Sequence, residues 1–136
     1  AILQHLLSSQ SKSIEVDSAG IDALVGQSPD GFTQKVTTRH GLDVSTHKAR
    51  QLTQETLGRS DLVLCLAENH RLSILNAFPK STAKVFLLKQ YRREHPLKYP
   101  SVDDPIGRPL YHYEHCYDQI EEEVKRIVSV LIQEET

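Results

Sequence analysis

The stretch SDLVLCLAENHR, residues 60–71, decides the fold. Leu62 to Ala67 form an uninterrupted apolar run, too short for a typical helix and too apolar for a strand with one wet face. Such a run fits a strand buried on both faces of a parallel sheet. The pattern then changes: ENHRLSILNAF, 68–78, reads as a helix, and Pro79 stops it. AKVFLL at 83–88 is a second buried strand. Strand, helix and strand in succession make an α/β unit with parallel pairing.

The flanking segments extend this pattern. SIEVDSAG, 13–20, alternates Ile14 and Val16 and breaks at Ala19-Gly20, which predicts a strand and then a loop continuing through IDALVGQ. In SPDGFTQKVTTRHG, Ser28 stands as helix cap, Pro29 at the first helical position and Gly41 just past the end, so a helix is expected over 29–40. LDVSTHKARQL is a short extended piece, and Thr53 caps QETLGR. At the start, AILQHLL places Ile2, Leu3, Leu6 and Leu7 on one face of a helix with no capping residue before it. From 111 to 134, Tyr113, Tyr117, Ile120, Val124, Ile127, Val128 and Leu131 form the stripe of a closing helix. The loop before it, 89–110, is long for a compact domain, and such loops often carry function.

A chain of 136 residues accommodates one domain, residues 1–136, with one core. Net charge is −2 and no block of like charge occurs, which argues against nucleic acid and against a polybasic membrane site. No apolar run approaches the roughly 18–20 residues that span a bilayer. Two cysteines give no disulfide framework, and no secretory leader pattern opens the chain, so a cytoplasmic location is expected. Among the histidines only His112 and His115 share a suggestive spacing, and no metal site is assigned.

Cys65 and Arg71 have the spacing C-x5-R. In phosphate-handling enzymes with that spacing a thiolate attacks phosphorus, while backbone amides and the arginine hold the phosphate oxygens. The strand-to-helix setting suits it, but the intervening LAENH does not. It has no Gly, Ser or Thr to curve inward-facing amides, and Glu68 would sit beside a dianion. A thiol at the end of an apolar run has its pKa raised, not lowered. A buried structural cysteine is therefore the favoured reading and a nucleophile the alternative; Cys116, on the closing helix, is read as packing too.

Taken in order, VDSAG, ALVGQSPD, HGLDVSTHKARQLT, SDLVLCLAENH, AKVFLL and DDPIGRP resemble the low-molecular-weight protein-tyrosine phosphatases. SAGIDALVGQ and HKARQLT look most like the bacterial branch that serves tyrosine kinases of capsule and exopolysaccharide export. The resemblance implies an α/β fold: a parallel sheet ordered 2-1-3-4 with helices on both faces. It also implies protein-tyrosine-phosphate hydrolysis through a cysteinyl-phosphate intermediate, without a cofactor. Members begin with a strand and then C-x-G-N-x-C-R-S-P, which leads into the first helix. AILQHLL resembles the middle of that helix, so the resemblance implies that the first strand and phosphate loop precede Ala1, and that these 136 residues alone are inactive.

Residue roles follow by the same resemblance. Asp104, before Pro105, corresponds to the general acid that protonates the leaving tyrosine oxygen and then activates water; from the residues alone an ordinary Asp-Pro turn is the favoured reading. Pro105 holds Asp104 in extended backbone. His47 matches a histidine that supports the phosphate loop from beneath, with a surface histidine near a turn as the alternative. Arg50 either braces the same region or lies in solvent. Asp22 and Leu24 fall on the rim of the substrate cleft, where the wall would be aliphatic. Ile106 stands where the family usually has an aromatic, and Tyr111 or Tyr113 could supply the ring instead.

The expected partner is a phosphotyrosine-containing protein, specifically a bacterial tyrosine kinase. Alternatives are a non-catalytic phosphatase-like binding or scaffold protein, an arsenate reductase, for which Cys65 has no nearby partner, and a phosphoarginine phosphatase. An interior strand's absence would leave facing rows of unpaired backbone groups. Each costs about 1–3 kcal/mol, against a total stability of about 5–15 kcal/mol. The sheet is therefore expected to be completed by further N-terminal residues, by another segment, or by exchange between two chains as a dimer.

Overall fold

In the computed structural model, β1 (Val63–Cys65) pairs in parallel with β2 (Val85–Leu87), in register Val63 to Val85, Leu64 to Phe86 and Cys65 to Leu87. The structure describes all residues except Ser9, Ser11, Lys12, Thr136 and the side chain of Glu135. The remaining elements are α1 (Ile2–Ser8), α2 (Gly31–Arg39), α3 (Gln54–Arg59), α4 (Glu68–Ala77), a 3-10 segment (Pro79–Lys84) and α5 (Leu110–Glu135).

The pleat sends successive side chains to opposite faces. Leu62, Leu64 and Leu88 pack in a cluster with Leu7 of α1 and Val124, Ile127 and Val128 of α5. Val63, Cys65, Val85 and Leu87 pack in another with Leu57 of α3 and Ile74 of α4. Helices thus cover both faces, as the uninterrupted apolar run from Leu62 to Ala67 requires. A third cluster seats α2 on α5 through Val36, Leu42, Tyr113 and Tyr117. The closing helix follows its predicted stripe, with Ile127 wholly buried. Thr53 forms the expected cap of α3, exchanging hydrogen bonds with Thr56.

Two local expectations need correction. The cap of α2 is Asp30, not Ser28: the Asp30 carboxylate accepts from the Thr33 N–H at 2.8 Å, and the helix starts at Gly31. The Ser28 hydroxyl instead accepts from Lys48 Nζ at 2.6 Å. Ile14 and Val16 form no strand. They are half-buried against the α1–α5 cluster, but no ladder partner lies beside them among the described residues. Alternation gives a segment a buried face, whereas a strand also needs a neighbour's backbone groups.

The long loop after β2 is tied down by a largely buried carboxylate. Glu123 on α5 accepts from Arg93 at 2.7 and 3.1 Å and from Arg126 at 2.9 Å. Arg126 also donates to the Tyr91 and Leu88 carbonyls at 2.6 and 3.0 Å. Between these anchors Arg92 takes a left-handed φ of 62° and turns the chain. No helix among the described residues is long and apolar enough to cross a membrane.

Replacing Glu123 by Ala would leave two half-buried guanidinium groups uncompensated, and an expected loss of about 3 kcal/mol follows. Glu123→Gln, which keeps an acceptor, should lose less. Urea denaturation checks this, and a loss for Glu123→Ala below about 1 kcal/mol, as for an exposed pair, would refute it.

Candidate active site

The chain beyond the carboxyl end of β1 is stitched to the segment 101–102. The Val102 N–H donates to the Leu66 carbonyl at 2.8 Å, and the Glu68 N–H to Ser101 Oγ at 2.9 Å. Open α/β sheets bind ligands beyond the carboxyl ends of their strands. Asp104 lies two residues further on, exposed, with Oδ1 accepting from the Ile106 N–H at 3.0 Å. Such an Asx turn fixes the carboxylate relative to its own backbone. Gly107 follows with φ +76°, a conformation side chains disfavour, and closes the turn.

Asp104 faces α5. Burial, then the Asp104 and Asp103 carboxylates, push the Cys116 thiol up. Tyr113 Oη donates to Asp30 Oδ2 at 2.7 Å. That bond, then burial and the charges of Asp30 and Asp104, push the Tyr113 hydroxyl up to about 12, so it remains a donor at neutral pH. Partial burial pushes the Asp30 carboxyl up, but hydrogen bonds from the Thr33 amide, the Tyr113 hydroxyl and the Thr33 hydroxyl outweigh it and hold it below the usual value. The Phe32 ring meets Tyr113 edge-on at 5.3 Å.

The segment expected to form the cleft rim is fixed by its backbone. Gly20 exchanges hydrogen bonds with the strand-like segment at Gln51, through Gly20 N–H to the Arg50 carbonyl and Leu52 N–H to the Gly20 carbonyl, both 2.8 Å. Gly26 N–H donates to the Ala49 carbonyl, and Ala49 N–H to the Gln27 carbonyl, both 2.9 Å. The Gln51 side chain accepts from Ala23 N–H at 2.9 Å and donates to the Ile21 carbonyl. Asp22 and Leu24 project from this pinned loop and are exposed, Leu24 at 70%. Ile106 is 71% and Tyr111 64% exposed, whereas Tyr113 is buried. Of the two tyrosines, only Tyr111 has an exposed ring.

His47 is exposed on the turn leading to Ala49, its N–H donating to the Val44 carbonyl at 3.0 Å. Among the described residues no hydrogen bond joins it to Asp104. Arg50 pairs with Asp17 and is exposed. Asp104 and Ile106 thus share one exposed turn whose charge reaches Tyr113 and Cys116 on α5, and His47 lies on a separate turn before Ala49.

Cys65 lies apart. Its thiol is buried, and burial pushes its pKa up, with Arg71 lowering it and Glu68 raising it. The amides that would have to cup an oxyanion are engaged elsewhere: Glu68 N–H with Ser101, and His70 and Arg71 N–H with the Ala67 carbonyl. Arg71 itself donates to Glu68 Oε1 at 3.0 Å. A shallow groove of 450 Å³ lies along α4 and β2, lined by Arg71, Phe86, Arg93 and Leu97 among others, but Asp104 and His47 are not part of it.

Sequence reading overlooked Asp30 and the Tyr113 hydroxyl. Asp30 is as good a cap residue as Ser28, and the sequence alone does not separate the two. The Tyr113 hydroxyl left no local signal, because its partner lies 83 positions away.

A parallel sheet with helices on both faces, and an Asp-Pro turn beyond its carboxyl edge, defines an α/β domain. The chain belongs to the low molecular weight phosphotyrosine protein phosphatase family, whose family model matches residues 1–136. It is 31% identical over 118 residues to the probable low molecular weight protein-tyrosine-phosphatase EpsP of Ralstonia solanacearum, covering 87% of this chain and 77% of that protein. It is 27% identical over 128 residues to the low molecular weight protein-tyrosine-phosphatase Wzb of Salmonella typhi, covering 94% and 83%. Among solved structures, the YwlE arginine phosphatase from Geobacillus stearothermophilus superposes with a TM-score of 0.88 at 28% identity, covering 98% of this chain and 82% of that one.

Because folding lowers the Asp30 pKa, its ionised form stabilises the fold. That contribution is present above the ordinary value of 3.8 and is lost as pH falls through the lower folded value. The stability difference between wild type and Asp30→Asn should therefore be constant near neutrality and shrink below 3.8. Urea midpoints across pH 3 to 6, a range on the order of the carboxylate titration, check this; a difference that grows on acidification would contradict it.

Proposed function

We propose that this domain serves a protein-tyrosine phosphatase, with Asp104 as general acid and then general base. The observation that carries the reading is the Asp104-Pro105 turn, exposed at the carboxyl edge of the sheet, tied to the end of β1 through 101–102 and closed by the Ile106 N–H on Asp104 Oδ1. A phenolate leaving group gains from a proton delivered in the transition state, an effect commonly worth about 10²–10⁴-fold. The rest of the catalysis is grip on the phosphoryl group and stabilisation of its charge. Cys65 is not the nucleophile in this reading: it is buried and its neighbouring amides are engaged.

Leu24, Ile106, Tyr111 and Asp22 form the rim that meets the substrate side chain, and His47 supports the phosphate loop. The substrate is a phosphotyrosine protein in the cytoplasm, a tyrosine kinase of polysaccharide export in the reading that EpsP and Wzb favour. Arginine phosphate is the second reading, favoured by the aliphatic rim at Leu24 and Ile106 and by the similarity to YwlE.

The 136-residue chain should hydrolyse p-nitrophenyl phosphate no faster than background. Turnover abolished by Cys65→Ser would overturn the assignment of Cys65. Placing a strand and C-x-G-N-x-C-R-S-P loop ahead of Ala1 should restore hydrolysis. In that chimera Asp104→Asn should lower kcat by about 10²–10⁴-fold with little change in KM. A chimera that binds phosphate but never turns over would favour the scaffold alternative.

A further inference from the structure

The loop bearing Asp22 and Leu24 is attached to the segment at 49–52 at each of its ends. At one end Gly20 stands beside Gln51 as in a parallel ladder, bonded to the Arg50 carbonyl and the Leu52 N–H, both at 2.8 Å. At the other, Gly26 N–H donates to the Ala49 carbonyl and Ala49 N–H to the Gln27 carbonyl, both at 2.9 Å. Between these attachments, among the described residues, Ile21, Asp22 and Ala23 make no backbone bond to that segment. The Gln51 side chain occupies the interval. Its Oε1 accepts from Ala23 N–H at 2.9 Å, and its Nε2 donates to the Ile21 carbonyl. Asp22 therefore has a Gln51 bond on either side of it. The chain is also doubled back here, since a Cβ placed on Gly20 would lie 3.3 Å from Ala23 Cβ.

We propose that Gln51 is a positioning residue for the cleft rim: its side-chain amide stands in for the backbone bonds missing between Gly20 and Gly26, and so fixes how Asp22 and Leu24 project. Those two residues form the rim in the phosphatase reading above, on which this role rests. Gln51 acts through the loop backbone and touches no reacting atom. A primary amide presents an acceptor and donors on one planar end, the same pair of functions that a peptide group offers to a ladder. The adjoining side chains cannot take that part: Arg50 is paired with Asp17, and Leu52 has no polar atom to offer. The backbone around Gln51 grips Gly20 while its side chain reaches 21 and 23, so one position holds the turn at both ends.

The chemistry of the task selects glutamine. A carboxylate at this position would accept from Ala23 but could not donate to the Ile21 carbonyl. Asparagine, shorter by one methylene, would fall short of the turn. Both bonds are exposed, and a hydrogen bond exchanged for one with water contributes little to global stability. Their effect is local. With the Ala23 amide and the Ile21 carbonyl released to solvent, residues 21–24 would sample several conformers while the core stayed folded.

NMR on the 136-residue protein and its Gln51→Ala, Gln51→Glu and Gln51→Asn variants tests this without turnover. In Gln51→Ala the Ala23 amide should exchange with water about three- to tenfold faster, the range for loss of one net hydrogen bond. The N–H residual dipolar couplings of Asp22 and Leu24, which report bond direction, should shrink, while those of Gly26 and Ala49 should hold. The Ile127 amide, in the buried stripe of α5, should keep its rate. Gln51→Glu should leave Ala23 protected, because the acceptor remains, yet move the Ile21 carbonyl carbon resonance as far as Gln51→Ala does. Gln51→Asn should match Gln51→Ala at both positions. Unchanged Ala23 exchange in Gln51→Ala, or unchanged couplings at Asp22 and Leu24, overturns the proposal. So does acceleration shared with Ile127, which would make Gln51 a contributor to general stability, and so does loss of Ala23 protection in Gln51→Glu. Any of these failures leaves the phosphatase reading standing, and an inactive chimera leaves the NMR result standing.

Discussion

The position of the candidate acid depends on a carboxylate far from it. Glu123 gathers Arg93 and Arg126, and through Arg126 it fastens the Leu88 and Tyr91 carbonyls to α5. Without that attachment the segment leaving β2 would be joined to the domain mainly at its ends. With it, the chain is directed across the carboxyl edge of the sheet, where Ser101 and Val102 meet the residues after β1. A buried ion pair is often a weak contributor to stability, because desolvation offsets attraction. Here its value is geometric: the guanidinium groups present many donors in fixed directions, and they satisfy carbonyls that a loop would otherwise leave unpaired.

The C-x5-R spacing at Cys65 shows what a motif needs beyond its intervals. The interval is right and the strand-to-helix setting is right. The thiol nonetheless faces the core, the following amides are engaged by Ser101 and by the Ala67 carbonyl, and Arg71 is turned to Glu68. An anion site requires amides left open to a ligand and a cation left unneutralised. The lack of Gly, Ser and Thr in LAENH, and the charge of Glu68, already point away from both.

Legibility followed the range of the interactions. The α/β class came from Leu62–Ala67, because burial on both faces leaves its mark in one contiguous run. The closing helix came from a seven-residue stripe, and the α3 cap from Thr53 and Thr56, three positions apart. Ile14 and Val16 misled because an alternating pattern reports burial and cannot report whether a neighbouring backbone is present. The α2 boundary shifted because Ser28 and Asp30 are both good caps, and the choice was made by Tyr113, remote in sequence. Of the candidate site, Asp104, Ile106 and Leu24 are candidates that an ordered set of motifs supplies. The seam between 20–27 and 49–52 was invisible, since its bonds are between backbone groups that every residue carries.

That seam has an evolutionary corollary. The loop bearing Asp22, Leu24 and Val25 takes its shape from amides and carbonyls at Gly20, Gly26, Gln27 and Ala49 to Leu52, and from one glutamine side chain. The projecting side chains contribute little to that shape, with Leu24 and Val25 about two-thirds exposed. Mutations there can drift or be selected for a new ligand without first being tolerated by the fold. The exposed positions of this loop are free to diversify among descendants while the scaffold beneath them stays the same.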